Sequence, residues 1–382
     1  MDQERKNRVN EDRLLNTFFE LLKVKSPTRN EREIVEYVKN ILEDMGLEVS
    51  VDDSGKNFGS NSGNITALFS NKYKLEGQPI FLNAHLDTVE LTGEVEPVVK
   101  NGRIVNSNQD SILGGDDKVA VAAIIEAIRV IMEKKIATPD IYLLLTVGEE
   151  CGIFGAKYID LEKVRAKYGF TFDADGDIGT IINKAPYQNS FYINFKGKAA
   201  HAGIEPEKGI NAIEMSSSFV QLCKFGRLDN YSTANVGIIK GGKAKNIVPD
   251  KVYMEMEARS LYVDRLNEIT NQFLKNAKIV EEKYKAKIDV KVEREYDGFD
   301  IKEDDIPLSI ASSAIEKLGI KPRLKATGGG SDVNILNSRG KVAVNLSAGM
   351  EKVHTCKEYV KVKQLILLSS LIVEICKASI IG

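Results

Sequence analysis

The sequence predicts an α/β protein: a mainly parallel sheet with helices, interrupted by an inserted domain of ferredoxin-like β-α-β-β-α-β order. Three observations lead there. In the first half, short mainly apolar runs (Ile80 to Ala84, Ile141 to Val147) alternate with helical ones (Glu31 to Leu47, Val119 to Met132), the rhythm of strands and crossover helices. From Ala185-Pro186 onward the pattern becomes a strict apolar/polar alternation, which marks a sheet with one buried face. Beyond Gly298 the first rhythm returns.

The elements follow in order. Ile34, Val35, Val38, Ile41 and Leu42 recur at helical spacing, and Gly46 supplies a stop. Pro79 leads into the strand Ile80-Phe81-Leu82-Asn83-Ala84, followed by the helix from Val119 to Met132 and the strand from Ile141 to Val147. In the middle region Phe191, Ile193 and Phe195 alternate with Tyr192, Asn194 and Lys196. A helix (Ile210 to Phe225), a strand (Ala234 to Ile239), an alternating strand (Val252, Met254, Met256, Ala258), a helix opened by Asp264 and a strand (Ile288, Val290, Val292) complete the split motif. A helix from Ile306 to Leu318 closed by Gly319, a strand from Val342 to Leu346 and a helix after Glu358 finish the chain. Residues 1–185 and 298–382 are therefore expected to form one domain and residues 186–297 a second, inserted one. A length of 382 residues, more than one core organises, agrees with two domains.

Composition narrows the function classes. Apolar residues at 43% and charged residues at 28% are those of a folded globular chain. A net charge of −2 offers no cationic surface for nucleic acid or an anionic membrane. The opening MDQERKNRVNEDRLL lacks a signal-peptide core, and the late apolar stretch Leu365 to Ile375 is interrupted by Ser369, Ser370 and Glu374. Cys151, Cys223, Cys356 and Cys376 form no Cys-x-x-Cys pair, so a reducing cytoplasm is the expected setting.

The chain has three histidines, His85, His201 and His354. His85 and Asp87 follow the strand Ile80 to Ala84 and share one face if the strand continues; ligands of open α/β sheets bind at such carboxyl ends. Asp87 is a candidate to orient the His85 ring. Asp116 stands in Gly114-Gly115-Asp116-Asp117-Lys118, before a helical run. It suits either an N-cap or, with two glycines allowing close backbone approach, a bridging carboxylate. Glu149 and Glu150 end the strand Ile141 to Val147 through Gly148, as a solvated turn or as a ligand and proton acceptor side by side. Asp173 follows Tyr168 to Phe172 in a turn that also holds Asp175 and Asp177, and His354 follows the strand Val342 to Leu346. Acids and histidines thus converge after separate core segments. No strand is followed by the Gly-x-Gly-x-x-Gly turn of a dinucleotide site.

At Ala84-His85-Leu86-Asp87-Thr88, Gly115-Asp116-Asp117-Lys118, Glu149-Glu150 with Gly152 and Gly155-Ala156, and Thr327-Gly328-Gly329-Gly330-Ser331-Asp332, the sequence resembles the dinuclear zinc peptidases. That family includes peptidase T, carboxypeptidase G and the aminoacylases, and the peptidase T-like branch is the most similar. The resemblance runs from Pro27 to about Val360. It implies two Zn2+ per chain, with Co2+ or Mn2+ as substitutes. His85, Asp116, Glu150, Asp173 and His354 would be ligands, Asp116 bridging, with Asp175 as a rival to Asp173. Asp87 would orient His85 and Glu149 would be the general base. His201, in Gly197-Lys198-Ala199-Ala200-His201-Ala202-Gly203, would contact substrate in its own or a partner's site. Arg259, Asn246 and the Gly329 and Gly330 backbone would bind the substrate's carboxylate or main chain. The implied activity is aminopeptidase action on short peptides, above all tripeptides. The alternatives are another amide hydrolase of the family (dipeptidase, carboxypeptidase or N-acyl amino acid deacylase) and a non-catalytic binding relative. The inserted domain would serve as lid and as the interface of a homodimer.

Overall fold

The computed structural model describes residues 9–73, 77–90 and 93–379. It comprises two compact units, one of Met1–Asn183, Asp300–Ala326 and Ser331–Gly382, the other of Lys184–Phe299 and Thr327–Gly330. Residues 1–8, part of the N-terminal segment read above, lie outside the described residues.

The first unit is built on a nine-stranded sheet. Its order is Glu48–Val51, Ile65–Phe69, Ile141–Thr146, Ile80–His85, Tyr168–Ala174, Val342–Ser347, Thr180–Ala185 and Phe299–Asp300, with Arg323–Ala326 pairing Thr180–Ala185. Ile80–His85 runs parallel to both Ile141–Thr146 and Tyr168–Ala174, and Val342–Ser347 runs parallel to Tyr168–Ala174. The pairs at the margins are antiparallel, Glu48–Val51 with Ile65–Phe69, Ile65–Phe69 with Ile141–Thr146, and Val342–Ser347 with Thr180–Ala185. Every residue of Ile80–His85 and Ile141–Thr146 is buried, which is why those runs carry no alternation. The helix Gly115–Lys134 packs against this sheet and is itself buried along most of its length, so its apolar residues surround it instead of forming a stripe. The predicted parallel α/β core is therefore present.

Sequence patterning did not reveal a four-stranded antiparallel sheet, ordered Met350–Glu351, Tyr359–Lys361, Arg103–Asn106, Pro97–Lys100. Its strands are two to four residues long, too short to display a period. An N-terminal helix, Glu11–Lys23, capped by Asn10, is a further element beyond those the sequence patterning predicts. Among the described residues no helix is long and apolar enough to cross a membrane.

The second unit carries a five-stranded antiparallel sheet ordered Gly226–Asp229, Ser232–Gly241, Lys251–Ser260, Tyr187–Lys196, Lys287–Tyr296. The helices Ala212–Leu222 and Val263–Tyr284 cover one face. Phe191, Ile193 and Phe195 point into that core while Tyr192 and Asn194 face outward, as alternation requires. The split motif is present with one addition, the edge strand Gly226–Asp229. It pairs only with the start of its neighbour, leaving the rest of Ser232–Gly241 as an open edge.

Candidate metal centre

The carboxyl ends of the parallel strands deliver the acids and histidines of the first unit to one place. His85 closes the strand Ile80–His85 and is buried. Its Nδ1 lies 2.8 Å from the Asp87 carbonyl oxygen and its Nε2 lies 3.2 Å from Asp116 Oδ1 and 3.7 Å from Asp173 Oδ1. The other oxygen of Asp116 faces His354, with Oδ2 3.2 Å from His354 Nε2, and that nitrogen is 2.9 Å from Glu150 Oε1. Asp116 thus stands between two histidines, each of which also faces a second carboxylate.

Local structure explains how these side chains are held. Asp116 lies in the first turn of Gly115–Lys134, but its backbone is not helical (φ −78, ψ 106), and the N-cap position is held by Gly114 at φ 70. Asp116 therefore does not act as an N-cap. The two glycines do serve a close approach, and the partner is Glu358: its carboxylate accepts the N–H groups of Gly114 at 2.8 Å and Asp116 at 3.0 Å. A Cβ on Gly115 would stand 3.0 Å from Glu358 Oε1. The Asp87 carboxylate accepts the main-chain N–H groups of Glu149 at 3.0 Å and Glu150 at 3.2 Å, and the Thr28 hydroxyl at 2.8 Å. Asn345 accepts the N–H of Asp173 at 2.9 Å. His354 occupies φ 61 in a tight turn, a left-handed conformation that histidine tolerates better than most side chains.

Three buried acids that sequence reasoning left without a role join the cluster. Asp117 accepts the main-chain N–H of His85 at 3.2 Å through one oxygen, and its other oxygen is buried without a partner among the described residues. Asp332 accepts from Asn83 at 3.2 Å and from the Thr146 hydroxyl beneath the site. Glu358 is the third. Asp117 and Asp332 stand inside motif segments already singled out, so for those two position in the motif was available as a signal. What was missing was the tertiary neighbour.

The electrostatics are those of a site that attracts cations. Burial alone would raise the pKa of Asp116, but His354 and His85 prevail and hold it far below the usual carboxylate range. Burial would likewise keep the His85 ring neutral, yet Asp116 and Asp87 hold its pKa well above the ordinary value. Asp116 and Glu150 push His354 up to about 10. Burial, reinforced by neighbouring carboxylates, drives Glu149 and Asp173 well above their ordinary values. His85, Asp116 and Glu150 offer ligand atoms within 4.8 Å of one another, as do His85, Asp117 and Asp173. Oxygen and imidazole donors in this density, with one buried oxygen each of Asp117 and Asp332 unpartnered among the described residues, fit divalent metal ions. Asp175, by contrast, is exposed.

In the second unit His201 is exposed, with its Nδ1 accepting the Gly203 N–H at 3.2 Å. Its segment pairs with that of Asn246, the Ala202 N–H donating to the Asn246 carbonyl at 3.0 Å. Arg259 is held by the Glu257 carboxylate through Nε at 3.1 Å and Nη2 at 2.9 Å, and Nη1 donates to the Gly328 carbonyl at 3.3 Å. The Gly329 N–H donates to Thr327 Oγ1 at 3.2 Å. Gly330 lies against the Tyr296 ring, where a Cβ would come within 2.3 Å of Cζ.

Residues 188–287 match the M20 peptidase dimerisation domain. Residues 96–176, which carry Asp116, Glu149, Glu150 and Asp173, match M42 glutamyl aminopeptidase. The crystal structure of aminopeptidase PepT from Bacillus cereus is 37% identical, covers 97% of this chain and 99% of its own, and superposes with a TM-score of 0.90. The chain belongs to the peptidase T-like M20 peptidases. A tripeptidase structure from Staphylococcus aureus is similar to this M20 peptidase at 36% identity over 98% of this chain and 100% of its own, with a TM-score of 0.93. The Bacillus subtilis protein YqjE is 37% identical over 367 residues, 96% of this chain and 98% of its own. The family resemblance read from the motifs and the predicted fold both agree with these matches.

Proposed function

We propose that this M20 peptidase removes the N-terminal residue of tripeptides at a centre of two divalent metal ions, zinc natively and cobalt or manganese as substitutes. The observation that carries the reading is the placement of Asp116, whose two oxygens each stand 3.2 Å from a different histidine Nε2. A carboxylate so shared suits a bridge between two cations. His85 and Asp173 would complete one position, Glu150 and His354 the other. The aminopeptidase and tripeptidase activities named for the Bacillus cereus and Staphylococcus aureus relatives support the substrate class.

Two ions held by these residues would supply polarisation of the scissile carbonyl and a water of near-neutral pKa. Glu149 takes the proton of the attacking water and returns it to the leaving amine. Its main chain is pinned by Asp87 beside the ligand Glu150, which keeps proton acceptor and ligand in fixed register. Asp87 supports His85 through its carbonyl. By the family resemblance His201 would contact substrate and stabilise the oxyanion, in its own or a partner's site, and Asn246, Arg259 and the main chain of Gly329 and Gly330 would bind the carboxylate or main chain of the peptide. The four free thiols suit a cytoplasmic setting.

A homodimer forms through the second unit. The open edge of Ser232–Gly241 exposes Ile239 at 56% and Ile238 at 37%, an arrangement that soluble chains cover.

The test is a panel of di-, tri- and tetrapeptides and N-acyl amino acids, run with metal analysis. Two metals per chain and chelator-sensitive release of the N-terminal residue from tripeptides are expected. Cleavage confined to N-acyl amino acids would overturn the aminopeptidase reading.

A further inference from the structure

We infer that Glu358 is a positioning residue that fixes the separation of Asp116 and His354, and so sets the affinity of the metal pair. The inference rests on the two-metal reading above. Glu358 is 3% exposed, and its carboxylate closes on the turn that opens Gly115–Lys134. One oxygen takes the Gly114 N–H and the other the Asp116 N–H. These are helix-terminal donors with no intrahelical partner, a natural seat for a negative charge. Gly114 adopts a left-handed φ of 70, and Gly115 lacks the Cβ that would crowd Glu358 Oε1. The local sequence is thus shaped to receive this one side chain.

Glu358 also belongs to the element that carries His354. Met350–Glu351 and Tyr359–Lys361 pair antiparallel, Met350 opposite Val360 and Glu351 opposite Tyr359. His354 lies in the loop that this stem closes. Tyr359–Lys361 is paired on its other side with Arg103–Asn106, so the stem is anchored. At its foot the Glu358 N–H donates to the Thr355 carbonyl at 3.0 Å. A single carboxylate therefore ties the Asp116 turn to the His354 loop, although the two ligands are distant in sequence. Without it the Gly114 and Asp116 N–H groups lose their acceptor, and the Asp116 oxygens are free to shift relative to His354.

The experiment compares the full chain with Glu358→Gln, Glu358→Ala and Gly115→Ala, using Co2+ as the probe. Gln keeps the shape but opposes an N–H with an NH2, and Gly115→Ala keeps the charge but displaces the carboxylate. Stoichiometry and affinity are read by chelator competition, and ligand geometry by the visible spectrum of bound Co2+. Arg13→Ala, which disturbs the far end of the same helix, controls for lost stability. The unmodified chain is expected to take up two Co2+, and the Glu358 variants to bind at least one of them about 10- to 100-fold more weakly with an altered spectrum. Gly115→Ala should move the same way and Arg13→Ala should not. Glu358→Gln and Gly115→Ala with unmodified affinities and spectra would overturn the inference, as would an equal weakening in Arg13→Ala. An unmodified chain that binds fewer than two ions would instead overturn the two-metal reading.

Discussion

His85 Nδ1 meets Asp87 at its main-chain carbonyl oxygen, 2.8 Å away, while the nearest Asp87 carboxylate oxygen is 3.6 Å from that nitrogen. The two parts of Asp87 therefore separate in function. The carbonyl fixes the His85 tautomer with Nε2 toward Asp116, and the carboxylate organises the Glu149-Glu150 turn. Asp87→Ala leaves the carbonyl in place. It is expected to weaken the ion on the Glu150 side about 10- to 100-fold while retaining the one on the His85 side, as equilibrium dialysis against Zn2+ would reveal. Equal loss of both ions would contradict this division.

Glu149→Gln removes the proton acceptor without altering the main-chain N–H that binds Asp87. Metal content should stay at the level of the unmodified chain, and kcat on a tripeptide should fall by about 10²- to 10⁴-fold. Full turnover in the variant would remove Glu149 from the reaction.

The parallel core was readable because mainly apolar, non-alternating strands such as Ile80–His85 follow directly from burial on both faces. The alternating strand Tyr187–Lys196 was readable for the complementary reason. His85, Asp116 and Glu150 stood out because each borders a strong element, His85 and Glu150 after buried strands and Asp116 at the start of a long helix. Glu358 did not, since it precedes a strand of only three residues, Tyr359–Lys361, and its partners, Gly114 and Asp116, lie more than two hundred positions away. Asp117 and Asp332 escaped for a related reason: a buried acid is recognised by what surrounds it. The short antiparallel sheet shows the same limit, because pairing of two- to four-residue strands is decided by tertiary contact.

Asp173 and Asp175 competed as ligands in the sequence, and their surroundings now differ. Asp173 is half-buried, its carboxylate 3.7 Å from His85 Nε2 and its N–H held by Asn345, whereas Asp175 is exposed. Asp173→Ala should lose one metal per chain. Asp175→Ala should keep both and at least half of the activity. Reversal of the two results by metal analysis would make Asp175 the ligand.

Ile239 lies on the uncovered part of an edge strand, where a charge blocks strand addition. Ile239→Lys is expected to shift the mass seen by light scattering from dimer to monomer without changing the circular dichroism spectrum. A monomeric mass for the unmodified chain at the same concentration would remove this interface.

Arg13 and Glu126 provide a stability test away from the centre. Glu126 is fully buried on the inner face of Gly115–Lys134, and Arg13 from the N-terminal helix binds it through Nε at 2.7 Å and Nη2 at 2.9 Å. Arg13→Ala leaves that carboxylate buried without its cation, a change that costs about 3 kcal/mol or more in comparable pairs. Arg13 also meets Glu133 at the surface and lowers its pKa from 4.5. That smaller contribution is complete above the unfolded value near 4.5 and is lost as pH falls through the lower folded value. Denaturant unfolding of the metal-free chain should therefore show the variant destabilised at neutral pH, with the Glu133 part of the gap disappearing in acid. A variant as stable as the unmodified chain at pH 7 would show that Glu126 finds a second cation, with Arg129 on the same helix the first to examine.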